Sequence, residues 1–388
     1  MPDNTILYVI GSLDLGGAER HIATIAPRLK ELGWRPTVYC LSSRGVQAGE
    51  LDRSGVRVIG PPWDNRKTRT SFGRFVRLLA SSAKLLTLLI SSRPPIVHFF
   101  LPAAYILGAP LAIIARVPIR LMSRRSLNRY QKNYPVLRRI ERLLHSRMQI
   151  LLGNSQAVIN ELRAETNGKT PIELIYNGVN LEKRPQPLGP IDNVPAIRNP
   201  DELVLIIVAN LVRYKGHSDL FHALAMHAEK LPRSWTLLCV GRDDGLAANL
   251  QELAQTLQID RHIQLLGPRT DVAPLLASAD IGILCSHEEG FSNAILEGMA
   301  AGLPMVVTDV GGNAEAVVDR ESGIVVPAHD PKSLGAAILE LASDPDLMKR
   351  MGAAGSRRVE TLFSLEQCVR RYDDLYRRLV RSRAGNLG

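Results

Sequence analysis

Short apolar runs alternate along this chain with longer stretches whose apolar residues recur every three or four positions. The runs read as buried strands and the recurrences as helices with one face turned inward. In the first half the strand candidates are residues 6–10, 37–41, 56–59, 96–100 and 120–122, with further ones at 150–154 and 172–176. Helix candidates there include 18–32, 72–91 and 136–146. A second series supplies strands at 203–209, 235–240, 263–266, 281–285, 305–308 and 323–326, with helices filling the gaps. The β-α-β-α order predicts parallel sheets covered on both faces. Beyond Phe363 an apolar-periodic helix runs over 365–379.

Two series in 388 residues imply two domains. Between them, residues 181–200 are polar and carry Pro185, Pro187, Pro190, Pro195 and Pro200, the composition of a linker. The expected fold class is α/β: two Rossmann-like, doubly wound domains, 1–180 and 181–364. They would face across a cleft between the carboxyl ends of their sheets, where such folds bind ligands.

Composition changes this picture little: 45% hydrophobic and 22% charged residues are ordinary for a globular chain. Residues 96–115 carry no Lys, Arg, Asp or Glu and approach the length of a membrane span. Pro102 and Pro110 interrupt them and His98 sits near their start, so a buried strand followed by a buried helix is predicted. No cationic and apolar leader is expected, because residues 6–10 run straight into a Gly-rich turn. Cys40, Cys239 and Cys285 lie in apolar strand-like runs, and no C-x-x-C occurs, with Cys368 the fourth cysteine. They read as buried thiols of a reducing, cytoplasmic compartment.

Charge is more informative. The net charge is +10, yet between Arg66 and Ser146 sixteen Lys/Arg face one acid, Glu141, and Arg147 follows. Residues 72–80 and 136–144 alternate apolar and cationic side chains at helical spacing. Such helices suit an anionic membrane surface, apolar side inward. The alternative is an amphipathic helix packed on its own sheet with a solvated cationic face. Few aromatics interleave with these charges, so no nucleic-acid partner is expected.

The segment Glu289-Gly290-Phe291-Ser292-Asn293-Ala294-Ile295-Leu296-Glu297 follows a strand-like run and opens a helix-like one. A strand, a Gly-containing turn and a helix start make a phosphate site, through free N–H groups and the helix dipole. Ser292 or Asn293 is positioned to cap the helix. Glu297 lies one turn past Asn293. One acid outside the helix and one inside it suit hydroxyls on either side of a diphosphate. A surface acid plus a helix acid paired with a lysine is the alternative.

Three other turns suit a nucleotide. Arg213-Tyr214-Lys215-Gly216 offers a planar fork and a point charge for two phosphates, or else a solvated basic loop. Gly16 and Gly17, before the helix at 18–32, let backbone approach a phosphate closely, or serve turn geometry only. Gly311-Gly312-Asn313-Ala314-Glu315 sets glycines and a capping Asn at another helix start, and Glu315 reads as structural. Turns at Gly241-Arg242 and Gly267-Pro268-Arg269 either frame a nucleobase or are ordinary tight turns. No H-E-x-x-H, P-loop, G-x-S-x-G or strand-flanked Asp-x-Asp occurs. No metal site on the diphosphate is therefore expected, and Arg213 with Lys215 would neutralise leaving-group charge.

These motifs resemble the family 4, or group 1, glycosyltransferases of the GT-B fold. R-Y-K-G at 213–216, E-G-F-S-N-A-I-L-E-G-M-A-A-G-L-P from Glu289 and D-V-G-G-N-A-E from Asp309 occur in family order, with G-G-A-E at Gly16–Glu19. The resemblance implies retaining transfer of a sugar from a nucleotide sugar, without metal or other cofactor. It places Arg213 and Lys215 on the donor diphosphate, Glu297 on the ribose and Glu289 on hydroxyls of the sugar. Backbone at 291–294 would bind sugar or phosphate, and Gly16 with Gly17 would close over the phosphates from the other domain. The helix at 365–388 would cross back to the first domain. Relatives often carry a His in the loop that here reads Leu121-Met122-Ser123-Arg124-Arg125-Ser126. Arg124 is expected to supply charge to the donor phosphate instead. His98, at a strand end, is either a polar contact near the acceptor or a packed core histidine.

The reading is an enzyme that moves a sugar, from UDP in preference to GDP, to a glycan or lipid-linked acceptor of a surface polysaccharide or glycolipid. It would work at the cytoplasmic face of the membrane through residues 66–147. A nucleotide-sugar epimerase of similar fold, which needs no acceptor, and a non-catalytic nucleotide-sugar-binding subunit are the alternatives.

Overall fold

The structure is a computed structural model that describes every residue except 1–3, 64–69, 130, 132–133, 183–201, 233 and 386–388. The expected linker thus lies almost wholly outside the described residues. The chain divides into two compact units, 1–177 with 366–388, and 178–365.

The first unit is built on seven parallel strands: β1 (Thr5–Ile10), β2 (Arg35–Cys40), β3 (Arg57–Ile59), β4 (Ile96–Phe100), β5 (Ile119–Arg124), β6 (Ile150–Gly153) and β7 (Ile172–Leu174). Their order is β3-β2-β1-β4-β5-β6-β7, the doubly wound order in which the chain reverses direction beside β1. Helices α1 (Gly17–Glu31), α2 (Ala48–Arg53), α3 (Ser71–Ser92), α4 (Pro102–Ile114), α5 (Pro135–His145) and α6 (Gln156–Thr166) connect them. β1 and β4 are almost wholly buried, as near-continuous apolar runs in a parallel sheet should be.

Residues 96–115 form β4 and α4, the strand and buried helix expected in place of a membrane span. α4 starts on Pro102, whose missing N–H costs nothing there. A Cβ on Gly108 would come within 2.7 Å of the Phe99 ring, so glycine lets α4 lie directly on the sheet. The final helix, α14 (Leu365–Gly385), belongs to this unit. Its buried Tyr372 and Tyr376 reach His21 at 3.1 Å and His98 at 2.8 Å, and Trp34 Nε1 donates to Asp373 Oδ1 at 2.7 Å.

The second unit carries β8 (Glu202–Val208), β9 (Ser234–Val240), β10 (Ile263–Gly267), β11 (Ile281–Leu284), β12 (Met305–Thr308) and β13 (Gly323–Val326) in the order β10-β9-β8-β11-β12-β13. Its helices are α7 (His217–His227), α8 (Ala247–Thr256), α9 (Val272–Ala277), α10 (Asn293–Ala300), α11 (Asn313–Ala316), α12 (Pro331–Ser343) and α13 (Pro345–Leu362). β8 lies between β9 and β11, so its connections leave in opposite directions. The carboxyl ends of β8 and β11 therefore form a topological switch point. All four cysteines are buried free thiols.

Candidate active site

β8 passes through residues 209–212 into one turn of 3-10 helix, Arg213–Lys215, before α7 begins. Gly216 joins the two with φ 74°, and a Cβ there would lie 2.0 Å from the carbonyl oxygen of Cys285. Only glycine lets this turn press against the end of β11. The contact delivers Lys215 to the loop that follows β11. Its Nζ lies 2.5 Å from Glu289 Oε1, which also accepts from Ser286 Oγ at 2.9 Å. Both side chains are mostly buried, at 18% and 12% exposure. The Lys215 ammonium also stands 5.2 Å from the centre of the Tyr214 ring, while Arg213 is exposed.

The Glu289 loop rests on the turn after β12. Gly311 has φ 55°, and a Cβ on it would meet the Glu289 carbonyl oxygen at 1.8 Å. Gly312 N donates to Gly290 O at 2.9 Å. This glycine pair is backbone support for the glutamate loop. Asn313 does not cap α11: Gly312 holds that position, and Asn313 Nδ2 donates to Thr308 O at 3.1 Å.

α10 opens with Ser292 in the N-cap position at φ −83° and ψ 124°, yet the Ser292 side chain makes no capping bond. The expected cap from Ser292 is thus corrected. An anion is the other way to satisfy such a helix start. Gly290 and Phe291 are buried, and the Phe291 ring packs on Phe363 with centroids 5.3 Å apart. Phe291 can therefore offer a ligand backbone only. Asn293, Ala294 and Glu297 are half-buried along the first turns of α10.

Gly241 is fixed by packing: a Cβ would come 2.1 Å from Ala209 O, and its N–H donates to Gly267 O at 3.0 Å. Arg269 holds Asp271 through Nε at 2.8 Å and a terminal nitrogen at 2.6 Å. The two turns thus lie at neighbouring strand ends, β9 and β10.

In the first unit, Gly16 is the N-cap of α1, extended at φ −154°. A Cβ on it would strike Glu19 Oε2 at 2.2 Å, whereas Gly17 opens to empty space. Burial raises the Glu19 carboxyl above its ordinary range. Sequence reading passed over Glu19 except as part of a motif.

Two expectations are corrected here. Arg124 is buried, with bonds to Glu165 at 2.6 and 2.9 Å and to Glu141 at 3.0 Å. It neutralises a buried acidic pair supplied by α5 and α6 and is committed away from a donor phosphate. Burial raises the Glu165 carboxyl, but hydrogen bonds from His145, Arg124 and Asn128 outweigh it and the net shift is downward. His98 is fully buried, with Nδ1 2.8 Å from Tyr376 Oη and Nε2 2.8 Å from Ser123 Oγ. Burial, with a smaller push from Arg125, lowers its pKa to about 3, so it is a neutral core histidine. Arg125, one residue on, bonds Asn177 and feels Tyr372 and Glu19. Alternation along the strand explains the exchange: neighbours point to opposite faces.

Two family models match the chain: glycosyltransferase family 4 over residues 15–183 and glycosyl transferases group 1 over 192–358. This chain belongs to the group 1, family 4 glycosyltransferases. The family 4 segment holds Gly16, Glu19 and Arg125, and the group 1 segment holds the Lys215–Glu289 pair. Among relatives of this glycosyltransferase chain, EpsD of Bacillus subtilis is 31% identical over 204 residues, covering 51% of this chain and 52% of its own. A D-inositol 3-phosphate glycosyltransferase of Corynebacterium urealyticum is 27% identical over 397 residues, covering 95% and 92%. With the first relatives, the chain spans 52%, 53% and 64% of their length. The solved structure of Anabaena HepE in complex with UDP and glucose superposes with a TM-score of 0.81 at 20% identity, covering 96% of this chain and 98% of that one. At that identity the likeness shows the fold alone.

Proposed function

We propose that this glycosyltransferase moves a sugar from a UDP-linked donor to a glycan or lipid-linked acceptor, with retention and without a metal on the diphosphate. The observation that carries the reading is the Lys215–Glu289 pair at the switch point of the second sheet, beside the start of α10. Lys215 and the exposed Arg213 supply positive charge where Asp-x-Asp enzymes use a cation. Glu289 exchanges its lysine for sugar hydroxyls as the diphosphate arrives, and Glu297 takes the ribose hydroxyls. The diphosphate departs, the acceptor attacks from the same face, and the leaving phosphate takes the acceptor proton. Stabilising that leaving charge is the main lever on rate. The UDP and glucose of the HepE complex support the donor class.

The acceptor side draws on the basic segment. α3 buries only Ser81, Leu85 and Leu89, while Phe72, Phe75, Val76 and Leu79 are exposed beside Arg74 and Arg77. It is also long and apolar enough to cross a membrane by length and composition alone. On α5, Val136 and Leu143 are exposed among Arg138, Arg139 and Arg142. We place both helices on the anionic cytoplasmic face of a membrane, where a lipid-linked precursor of a polysaccharide or glycolipid is within reach.

The test is thermal stabilisation by UDP, GDP, ADP and their sugars for the wild type and Glu297→Ala. A shift of the melting temperature with the uridine class, lost in the variant, supports the reading. Absence of any shift at millimolar nucleotide overturns it. Turnover of a nucleotide sugar without an acceptor would point to an epimerase.

A further inference from the structure

His287 precedes Glu289 by two residues but takes no part in the donor chemistry described above. Its backbone N–H donates to Tyr214 O at 2.7 Å, and its Nε2 lies 2.7 Å from Asp219 Oδ2. Its ring lies against that of His329, with centroids 3.7 Å apart and planes 36° apart. Asp219 comes from the first turn of α7, His287 from the loop after β11 and His329 from the segment after β13. One ligand atom from each lies within 4.8 Å of the other two.

His329 sits in a left-handed backbone conformation, φ 60°, which glycine adopts freely and histidine at some cost, though less than most side chains. The turn sets a second imidazole beside the first. The Asp219 carboxylate completes the cluster. Bound to a cation, all three donors are satisfied together. One other group of this kind occurs among the described residues: Glu141, His145 and Glu165. There Arg124, Gln131 and Asn128 already donate to the carboxylates, and every member is buried. Asp219 and His287 are half-buried and His329 is exposed, so an ion in solution can reach them.

We propose that Asp219, His287 and His329 form a binding site for a divalent transition-metal ion of the zinc class. Two imidazoles and one carboxylate favour Zn²⁺, Co²⁺ or Ni²⁺ over Mg²⁺ and Ca²⁺, which prefer all-oxygen shells. Bonds near 2.0–2.1 Å bring tetrahedral ligands to about 3.3 Å apart, a closure that partly exposed side chains can make. Three protein ligands leave a position for water. The proton shared by His287 and Asp219 leaves as the metal enters. The ion fastens the first turn of α7 to two loops at the carboxyl edge of the second sheet, one of which carries Glu289. It does not touch the diphosphate chemistry, so the proposal stands apart from the donor reading.

Metal-free full-length protein titrated with Co²⁺ tests this by its visible d–d absorption. One equivalent should bind and be displaced by Zn²⁺. His329→Gly, which relieves the backbone strain, and His287→Ala should each weaken binding by at least about tenfold, since even outer-shell partners cost that much. His222→Ala, at an exposed histidine outside the cluster, should bind as the wild type does. Absence of a stoichiometric band in the wild type overturns the site, as does wild-type affinity in His329→Gly. Nucleotide shifts are read separately, so failure of either proposal is distinguishable from failure of the other.

Discussion

Lys215 Nζ and Glu289 Oε1 lie 2.5 Å apart, joining the ends of two adjacent strands, β8 and β11, through side chains remote in sequence. The pair keeps a cation and an anion mostly out of water without a ligand. On the proposed function, a diphosphate would compete with Glu289 for the ammonium, and a sugar hydroxyl with Lys215 for the carboxylate. Lys215→Ala should therefore lower kcat/KM by about 10²–10³, the cost of removing one donor aimed at developing negative charge. Its unfolding midpoint should also fall, because Glu289 is left mostly buried without its cation, so the rate is read on the folded protein. Steady-state transfer with urea titration checks this, and an unchanged rate would remove Lys215 from the chemistry.

Gly311 makes a separate prediction about the same loop. Alanine there meets the Glu289 carbonyl and must also hold φ 55°. Gly311→Ala should cost at least about 2 kcal/mol in unfolding free energy. Folded protein should also lose transfer activity, because the loop that positions Glu289 must shift. Gly17→Ala, where nothing lies within 4 Å of the added carbon, should be nearly neutral in stability.

The strands were legible because buried parallel strands are written as short apolar runs. Every expected strand occurs, with ends displaced by at most two residues, as hydrogen-bonded ends usually are. The glutamate segment stood out because a strand, a Gly turn and a helix start follow one another there. The direction of a polar side chain was not. Arg124 and Arg125 are adjacent cations at the end of β5, and the parity of the strand decides which meets Glu141 and Glu165. Ser286 as a partner of Glu289 also left no trace in sequence, because the bond depends on loop shape.

Arg124→Ala should be a stability variant. It leaves Glu141 and Glu165 buried without their guanidinium. Removing one partner of a buried ion cluster costs about 3–5 kcal/mol. Urea unfolding should show the loss, while nucleotide affinity of the folded fraction stays unchanged. Weaker nucleotide binding at unaltered stability would return Arg124 to the donor site.

Acid should weaken the first unit before its carboxylates titrate. The ordinary histidine pKa is 6.5, and His98 is lowered to about 3 by burial first and Arg125 second. Unfolded chains therefore take up a proton below pH 6.5 that the native state refuses. Stability is full above that value and falls as pH drops toward 3, by up to about 1.4 kcal/mol per pH unit for each such histidine. His21, lowered by burial, adds the same sign. Glu165, with its folded pKa depressed, contributes only below its ordinary 4.5. Urea midpoints between pH 7 and 5 should fall more steeply for the wild type than for His98→Asn. Equal slopes would mean that His98 keeps an ordinary pKa.

The exposed face of α3 decides whether this glycosyltransferase works on a membrane. Phe72 and Phe75 are 77% and 58% exposed, next to Arg74 and Arg77. Large apolar side chains left in water among cations cost stability unless a surface covers them. A bilayer with anionic headgroups offers both halves of what the face lacks, an apolar layer for the rings and charge for the arginines. Replacing both rings, Phe72→Ser with Phe75→Ser, should abolish co-flotation with vesicles rich in anionic lipid. Melting temperature should hold or rise, since these rings pack on little. Neutral vesicles should bind the wild type weakly, and salt should release it from anionic ones, because screening removes the charge contribution but not the apolar one. Loss of flotation in salt but not in the double variant would assign the attachment to charge on α5 and leave the α3 rings without a membrane role.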